Sequence, residues 1–362
     1  MNNISIGLEV TGLINSKPTG IGIYIINLLR NLTKINDNVK LFYKITRFRQ
    51  LNNLKYYSNG NLRWHYNNIY NPFYNKIDIV HITDNTFLNY RGAPKIFTIY
   101  DLAVFKKETQ IQNYTSEKHK QKIAKNINEI LKKVDAVIVI SNTTKNDLLE
   151  FYNFPEEKIR VIYLAPNNFT NIDEIANDDT NFNFKKKGYF LFVGNISVRK
   201  NIINLLKAFS LNNISDDYQL VLAGSMGMGR ELIKKTIIDL KLSSRVKILN
   251  YVPNNALSSL YLNSAGLVFP TYYEGFGIPI LEAMKSKIPF LIGNIGAAPE
   301  TAGGHGIKVS PFSAEDISEG IKSLPDTTNL QIEEAFKYAS KFSWEKNAIE
   351  TNKFYQDILG NY

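Results

Sequence analysis

Glu274 and Glu282 stand with seven residues between them in the run 270–285, PTYYEGFGIPILEAMK. Gly275-Phe276-Gly277 lies between them, followed by Pro279. Proline is favoured in a first helical turn, where its missing N–H costs nothing. Glycines let the backbone approach a ligand closely. The helix start offers unpaired N–H groups and a partial positive charge, a setting suited to a diphosphate. The spacing places Glu274 in the loop and Glu282 in the first turn. Both carboxylates could accept hydrogen bonds from sugar or ribose hydroxyls, with the N–H groups of Phe276 and Gly277 assisting. Acidic residues are common in first turns for the sake of the helix dipole alone. This pair is set apart by its context: a strand ending at Phe269, a Gly-x-Gly loop and a proline-initiated helix.

A cationic counterpart lies in 192–201, FVGNISVRKN, which reads as a strand, a loop with a basic pair and a helix. Arg199 and Lys200 could neutralise a pyrophosphate leaving group, where cationic stabilisation of developing charge gains most. Gly194, in the same loop, is expected on the donor side. A basic pair alone is usually solvated surface. Thr19-Gly20-Ile21-Gly22-Ile23-Tyr24 follows the first strand, and Gly20 and Gly22 could bring backbone N–H groups to a phosphate; a plain tight turn is the simpler reading. Position three past Gly22 is Ile25, so the dinucleotide fingerprint is absent. Asp101 reads equally as an acceptor-facing group or a loop cap. His81 and His305 read as satisfied histidines. His, Asp and Glu show no metal-ligand spacing and no D-x-D occurs, so neither metal nor other cofactor is expected.

The elements that must position these residues alternate along 362 residues. Strands are predicted at 4–10, 39–45, 77–82, 95–100 and 136–140, with helices at 23–32 and 114–134. After residue 188 strands are predicted at 189–193, 219–223, 246–249, 267–269 and 290–292. Helices are predicted at 202–209, 230–240 and 257–263, from 278, and at 343–358. Unalternated apolar strands separated by helices argue for parallel sheets covered on both faces. Residues 166–187, with six Asn and a Lys triplet, read as a linker. The expected organisation is an α/β protein of two Rossmann-like domains, 1–165 and 188–342, with residues 343–362 as a closing helix and a crevice at the strands' carboxyl ends.

Charge is uneven. Residues 1–165 hold 23 Lys and Arg against 13 Asp and Glu, residues 166–362 hold 20 of each, so the whole net +10 sits in the first half. That asymmetry suggests an anionic partner, such as a lipid surface or a phosphorylated acceptor, or else a solubilising surface. A basic helix carrying Lys118, Lys120, Lys122, Lys125, Lys132 and Lys133 fits either reading. Trp64, Tyr66, Tyr70, Phe73 and Tyr74, near Arg47 and Arg49, form an aromatic cluster suited to an acceptor platform or to packing. Without cysteine, thiolate chemistry and disulfides are excluded. With neither a signal-like N-terminus nor a long uncharged apolar run, a cytoplasmic protein, peripheral at the inner membrane face, is expected. Nucleic-acid motifs are missing, and nucleic acid is not an expected partner.

The segment 270–285 resembles the E-x7-E motif of glycosyltransferase family 4, retaining enzymes of the GT-B fold. Tyr251-Val252-Pro253 with Leu257, Leu260-Tyr261 and Ala265 is similar to that family's nucleotide-base region, and Ala298-Pro299-Glu300 to the stretch that follows. The resemblance runs through nearly the whole chain and is strongest over 189–308. It implies Glu274 on the donor sugar, Glu282 on the ribose, Lys200 with Arg199 on the diphosphate, Tyr251 and Val252 near the base, and the T-G-I-G loop on phosphate. It also implies attack on the same face as departure, the leaving phosphate taking the acceptor proton. Phe342-Ser343-Trp344 resembles the segment that crosses back to the first domain. At Tyr100-Asp101 the family often has His-Asp; tyrosine donates a hydrogen bond but is no acid or base near neutral pH.

The reading is a retaining hexosyltransferase moving a sugar from a GDP-, UDP- or dTDP-sugar to a glycan or polyprenyl-linked acceptor in surface-polysaccharide assembly. The loop Gly227-Met228-Gly229 leans toward GDP-mannose by resemblance. A sugar-nucleotide epimerase of the same fold and a glycan-binding relic, the latter suggested by Tyr100, are the alternatives.

Overall fold

A computed structural model describes residues 4–13, 20–43, 63–66, 77–84, 92–106, 115–167, 182, 184–211 and 214–360. The chain divides into two compact units. One comprises Met1–Leu102, Glu117–Leu164 and Phe342–Tyr362; the other comprises Ala103–Ser116 and Ala165–Lys341.

The first unit holds a parallel sheet in the order β3-β2-β1-β4-β5-β6-β7. Its strands are β1 (Ile6–Glu9), β2 (Val39–Tyr43), β3 (Arg63–Tyr66), β4 (Ile79–Ile82), β5 (Lys95–Ile99), β6 (Ala136–Val139) and β7 (Ile159–Val161). Strand direction of travel reverses between β1 and β4. Strands β1, β4 and β6 are buried at every position, as mainly apolar strands are when both sheet faces are covered, with Glu9 and His81 the buried polar residues among them. Helix α1 (Gly20–Ile35) turns Tyr24, Ile25, Leu28, Leu29 and Leu32 inward, the spacing of one helical face. It starts three residues before the predicted boundary. Helix α2 (Glu117–Leu131) buries Ile127, Ile130 and Leu131 and leaves Lys118, Lys122 and Lys125 exposed, while Lys120 reaches Glu117 at 2.6 Å. Helix α3 (Asn142–Phe151), missed in the sequence, starts at Ser141, whose hydroxyl accepts from the Thr144 N–H at 3.0 Å. The C-terminal helix (Trp344–Gly360) packs on α1.

That helix is anchored by a buried polar chain. His81 Nδ1 lies 2.6 Å from the Tyr355 hydroxyl and Nε2 lies 2.6 Å from Thr98 Oγ1. Burial pushes the His81 imidazole down to about 3, so it is neutral when folded, whereas an unfolded histidine gains a proton below about 6.5. The unfolded chain then binds one more proton, and stability falls as pH falls across that window by about 1.4 kcal/mol per pH unit. Melting curves between pH 7 and pH 4 are expected to show a shallower acid slope for His81→Asn than for the native chain, whatever its absolute stability; equal slopes would contradict this.

The second unit holds a parallel sheet in the order β10-β9-β8-β11-β12-β13. The strands are β8 (Tyr189–Val193), β9 (Gln219–Ala223), β10 (Val246–Leu249), β11 (Gly266–Phe269), β12 (Phe290–Gly293) and β13 (Ile307–Val309). Its helices include α4 (Ile202–Ser210), α5 (Arg230–Asp239), α6 (Asn254–Asn263), α7 (Ile278–Lys285), α8 (Ala298–Ala302), α9 (Ala314–Ser323) and α10 (Asn329–Ala339). Here the direction of travel reverses between β8 and β11.

Strands β7 and β13 went unread because each has three residues, of which one is buried. Trp64 and Tyr66 fall in β3, whereas Arg47, Arg49, Tyr70, Phe73 and Tyr74 lie outside the described residues, as does most of the predicted linker. Among the described residues, no helix is long and apolar enough to cross a membrane.

Candidate active site

In a doubly wound sheet, ligands bind beyond the carboxyl ends of the strands where the winding reverses. In the second unit that point is the β8/β11 boundary, flanked by the loop after β8, carrying Arg199 and Lys200, and the loop after β11, carrying Glu274. The structure brings Lys200 and Glu274 into contact: Lys200 Nζ donates to Glu274 Oε1 at 2.5 Å and to Oε2 at 2.6 Å. The two side chains keep 12% and 10% of their exposure, so two desolvated charges neutralise each other. Arg199 occupies the same 3-10 turn, half-buried.

The neighbouring residue, Asn201, ties both loops together. It is fully buried with φ 63°, a left-handed conformation that asparagine tolerates better than most residues. Its Nδ2 donates to the Pro270 carbonyl at 2.7 Å and to the Pro311 carbonyl at 2.6 Å. The β8 loop is fixed from its other side by the loop after β9: Ile196 N–H donates to Ser225 O at 2.9 Å and Gly227 N–H to Ile196 O at 2.8 Å. Gly224, at φ +144°, passes so close that an added Cβ would lie 1.9 Å from the Gly194 carbonyl oxygen. Only glycine fits there. The backbone of Glu274 is held too, its carbonyl accepting from the Ala297 N–H at 3.0 Å. Thr301 Oγ1 donates to the Phe276 carbonyl at 2.6 Å, and the Phe276 side chain is buried. Gly277 caps α7 at φ +99° with proline in the first positions, as the sequence implied.

Glu282 sits otherwise than predicted. It is the fifth residue of α7, beyond the first turn, and it is 2% exposed. Its Oε1 accepts from Asn167 Nδ2 at 2.7 Å and its Oε2 from the Tyr261 hydroxyl at 2.7 Å. Burial pushes this carboxyl above its ordinary range, and the hydrogen bonds from Tyr261 and Asn167 oppose that. The sequence offered Glu282 but not its partners, which lie 21 and 115 positions away. Tyr251 is exposed and Val252 half-buried in the loop after β10.

Residues 173–341 match the family described as glycosyl transferases group 1, and residues 18–165 match glycosyltransferase family 4, so the two together take in most of the sequence. The chain belongs to this glycosyltransferase family. It is 27% identical over 291 residues to the O-antigen chain mannosyltransferase B of Escherichia coli, covering 77% of this chain and 74% of that one. To the O-antigen chain mannosyltransferase RfbU of Salmonella typhimurium it is 32% identical over 199 residues, covering 54% of this chain and about half of the relative, 53%. The solved structure of Anabaena Alr3699/HepE in complex with UDP and glucose shares the fold, with TM-score 0.75 at 16% identity over 98% of this chain and 100% of that one. These neighbours are GT-B glycosyltransferases.

The glycosyltransferase also has a winding reversal in its first unit, between β1 and β4. Gly20 opens α1 and Gly22 lies buried in its first turn, so the T-G-I-G run is helical from Gly20 rather than a loop. Tyr100 turns inward. Its hydroxyl donates to the Thr83 carbonyl at 2.6 Å, its ring meets Tyr24 edge-on at 5.5 Å, and burial raises the phenol well above its ordinary value. Neighbouring Asp101 is exposed. Sequence reading missed Glu9, buried at the end of β1. Its side chain accepts from the Thr11 N–H at 2.7 Å, and its carbonyl accepts from Thr83 Oγ1 at 2.5 Å. A lone acidic residue ending an apolar strand was the available signal. His305 packs its ring against Tyr338 at 5.4 Å.

Proposed function

We propose that this glycosyltransferase is a retaining, metal-independent hexosyltransferase of surface-polysaccharide or O-antigen assembly, working on a nucleoside-diphosphate sugar and a glycan or polyprenyl-linked acceptor. The observation that carries the reading is the Lys200–Glu274 pair at the reversal point. An arriving diphosphate competes with Glu274 for the Lys200 ammonium, which supplies the charge that a metal would otherwise bring to the leaving group. The freed Glu274 carboxylate then accepts from hydroxyls of the donor sugar, and Glu282 receives a ribose hydroxyl. Arg199 assists at the diphosphate, Tyr251 and Val252 border the base, and Gly194, Phe276 and Gly277 bring backbone to the phosphates. The acceptor oxygen bonds to the anomeric carbon on the face from which phosphate departs, and its proton passes to the departing phosphate oxygen. Asp101 faces the acceptor, and Tyr100 orients that turn from within.

Relatives named O-antigen mannosyltransferases support mannose as the sugar, with GDP-mannose as the first donor to try, then UDP- and dTDP-sugars. The positive first half of the chain and the exposed lysines of α2 support an anionic membrane surface on the cytoplasmic side, where a polyprenyl-linked acceptor lies. The test is transfer from an α-linked nucleotide sugar with excess EDTA, the product's anomeric configuration being read by NMR. Full turnover and an α product are expected. An inverted product, or activity lost to EDTA and restored by magnesium, would refute the mechanism.

A further inference from the structure

We infer that Asn167 and Tyr261 are positioning residues for donor recognition, holding Glu282 ionised and aimed so that it selects a ribose hydroxyl. This rests on the reading of Glu282 as a donor contact. Glu282 is almost wholly buried, and a buried carboxylate without donors gives up its charge. Two donors meet it here, one on each oxygen: the Asn167 side-chain amide at 2.7 Å and the Tyr261 hydroxyl at 2.7 Å. An ionised carboxylate has about four acceptor positions, so these two donors leave acceptor capacity for a further hydroxyl. Tyr261 is itself fully buried on α6, and Asn167 is 8% exposed, just past Leu164, where the chain leaves the first unit. Neither residue needs to touch the nucleotide; both fix the group that does. A carboxylate set in this way favours a ribonucleotide over one lacking the sugar hydroxyls.

The experiment is calorimetric titration of the full chain with GDP and UDP, each beside its 2′,3′-dideoxy analogue. In the native chain the better-bound ribonucleotide is expected to exceed its dideoxy analogue about tenfold or more, the worth of one hydrogen bond to a charged group. Asn167→Ala and Tyr261→Phe are each expected to remove most of that ratio while leaving dideoxy binding within about twofold. In a Glu282→Gln background neither is expected to change anything further. Tyr261→Phe keeps the ring in place, so it reports even where Asn167→Ala disturbs the chain. Equal weakening of ribo- and dideoxynucleotide would reduce both residues to a structural role and overturn the inference. Tighter ribonucleotide binding by Asn167→Ala would overturn it too, because Asn167 would then be a competitor that the nucleotide displaces. A native chain that binds GDP or UDP with no preference over the dideoxy form would remove the Glu282 contact and the inference with it. A folded native chain binding neither would refute the proposed function itself.

Discussion

Glu274→Gln is expected to lower turnover by about 10²–10³-fold, the usual effect of removing one group that meets the transition state in a preorganised site. It is also expected to lower stability, because it removes the carboxylate that neutralises the Lys200 ammonium, which keeps 12% of its exposure. Removing one member of a buried pair costs about 3–5 kcal/mol. Lys200→Met leaves the opposite charge stranded and should do the same. The double variant Glu274→Gln/Lys200→Met separates the two effects. It removes both charges, so its melting temperature is expected to return toward the native value, as coupled sites do, while its turnover stays down. Thermal melts beside rates of sugar transfer read both quantities. Turnover that recovered together with stability would make the pair a structural ion pair only.

Asn201→Ala has the next largest expected effect, through geometry rather than charge. The side-chain amide bridges two buried carbonyls, Pro270 and Pro311, one of which opens the loop that carries Glu274. The Pro311 carbonyl keeps the Asn204 amide at 3.1 Å, but the Pro270 carbonyl left without its Asn201 donor costs about 1–3 kcal/mol, and alanine at φ 63° adds about 1–2 kcal/mol of left-handed strain. A combined loss of about 2–5 kcal/mol is expected for Asn201→Ala. Asn201→Gly accepts the backbone conformation and should lose less. Both should transfer sugar slowly, since Lys200 sits one residue away. Denaturant midpoints that rank glycine at or below alanine would contradict the backbone part of this argument.

What was legible in the sequence follows from what is local in it. Strands β8, β9 and β11 and helices α4 and α7 announced themselves through apolar runs, Gly277 and Pro279, because those signals act within one or two turns. The meeting of Glu274 and Lys200 was also legible, since a parallel sheet places the loops after neighbouring strands side by side. The supports of the site were not. Asn167 and Tyr261 reach Glu282 across the chain, Ala297 holds Glu274 through main-chain atoms, and Gly224 is explained only by the carbonyl of Gly194 beside it. None of these has a spacing to read. Helix register misled in a different way: a carboxylate one position past the first turn faces α6 and the buried Asn167, not the open end of α7. Tyr100 looked like an altered reactive position, but its hydroxyl is turned to Thr83 and its ring to Tyr24, contacts set by strands far apart in sequence.

The central claim is that Lys200 and Glu274 serve one donor, and the structure of the chain with a bound nucleoside diphosphate tests it most directly. The diphosphate is expected within hydrogen-bond distance of Lys200 Nζ, with the Glu274 carboxylate released toward the position of the sugar. A diphosphate bound elsewhere, with Lys200 still paired to both oxygens of Glu274, would contradict the account.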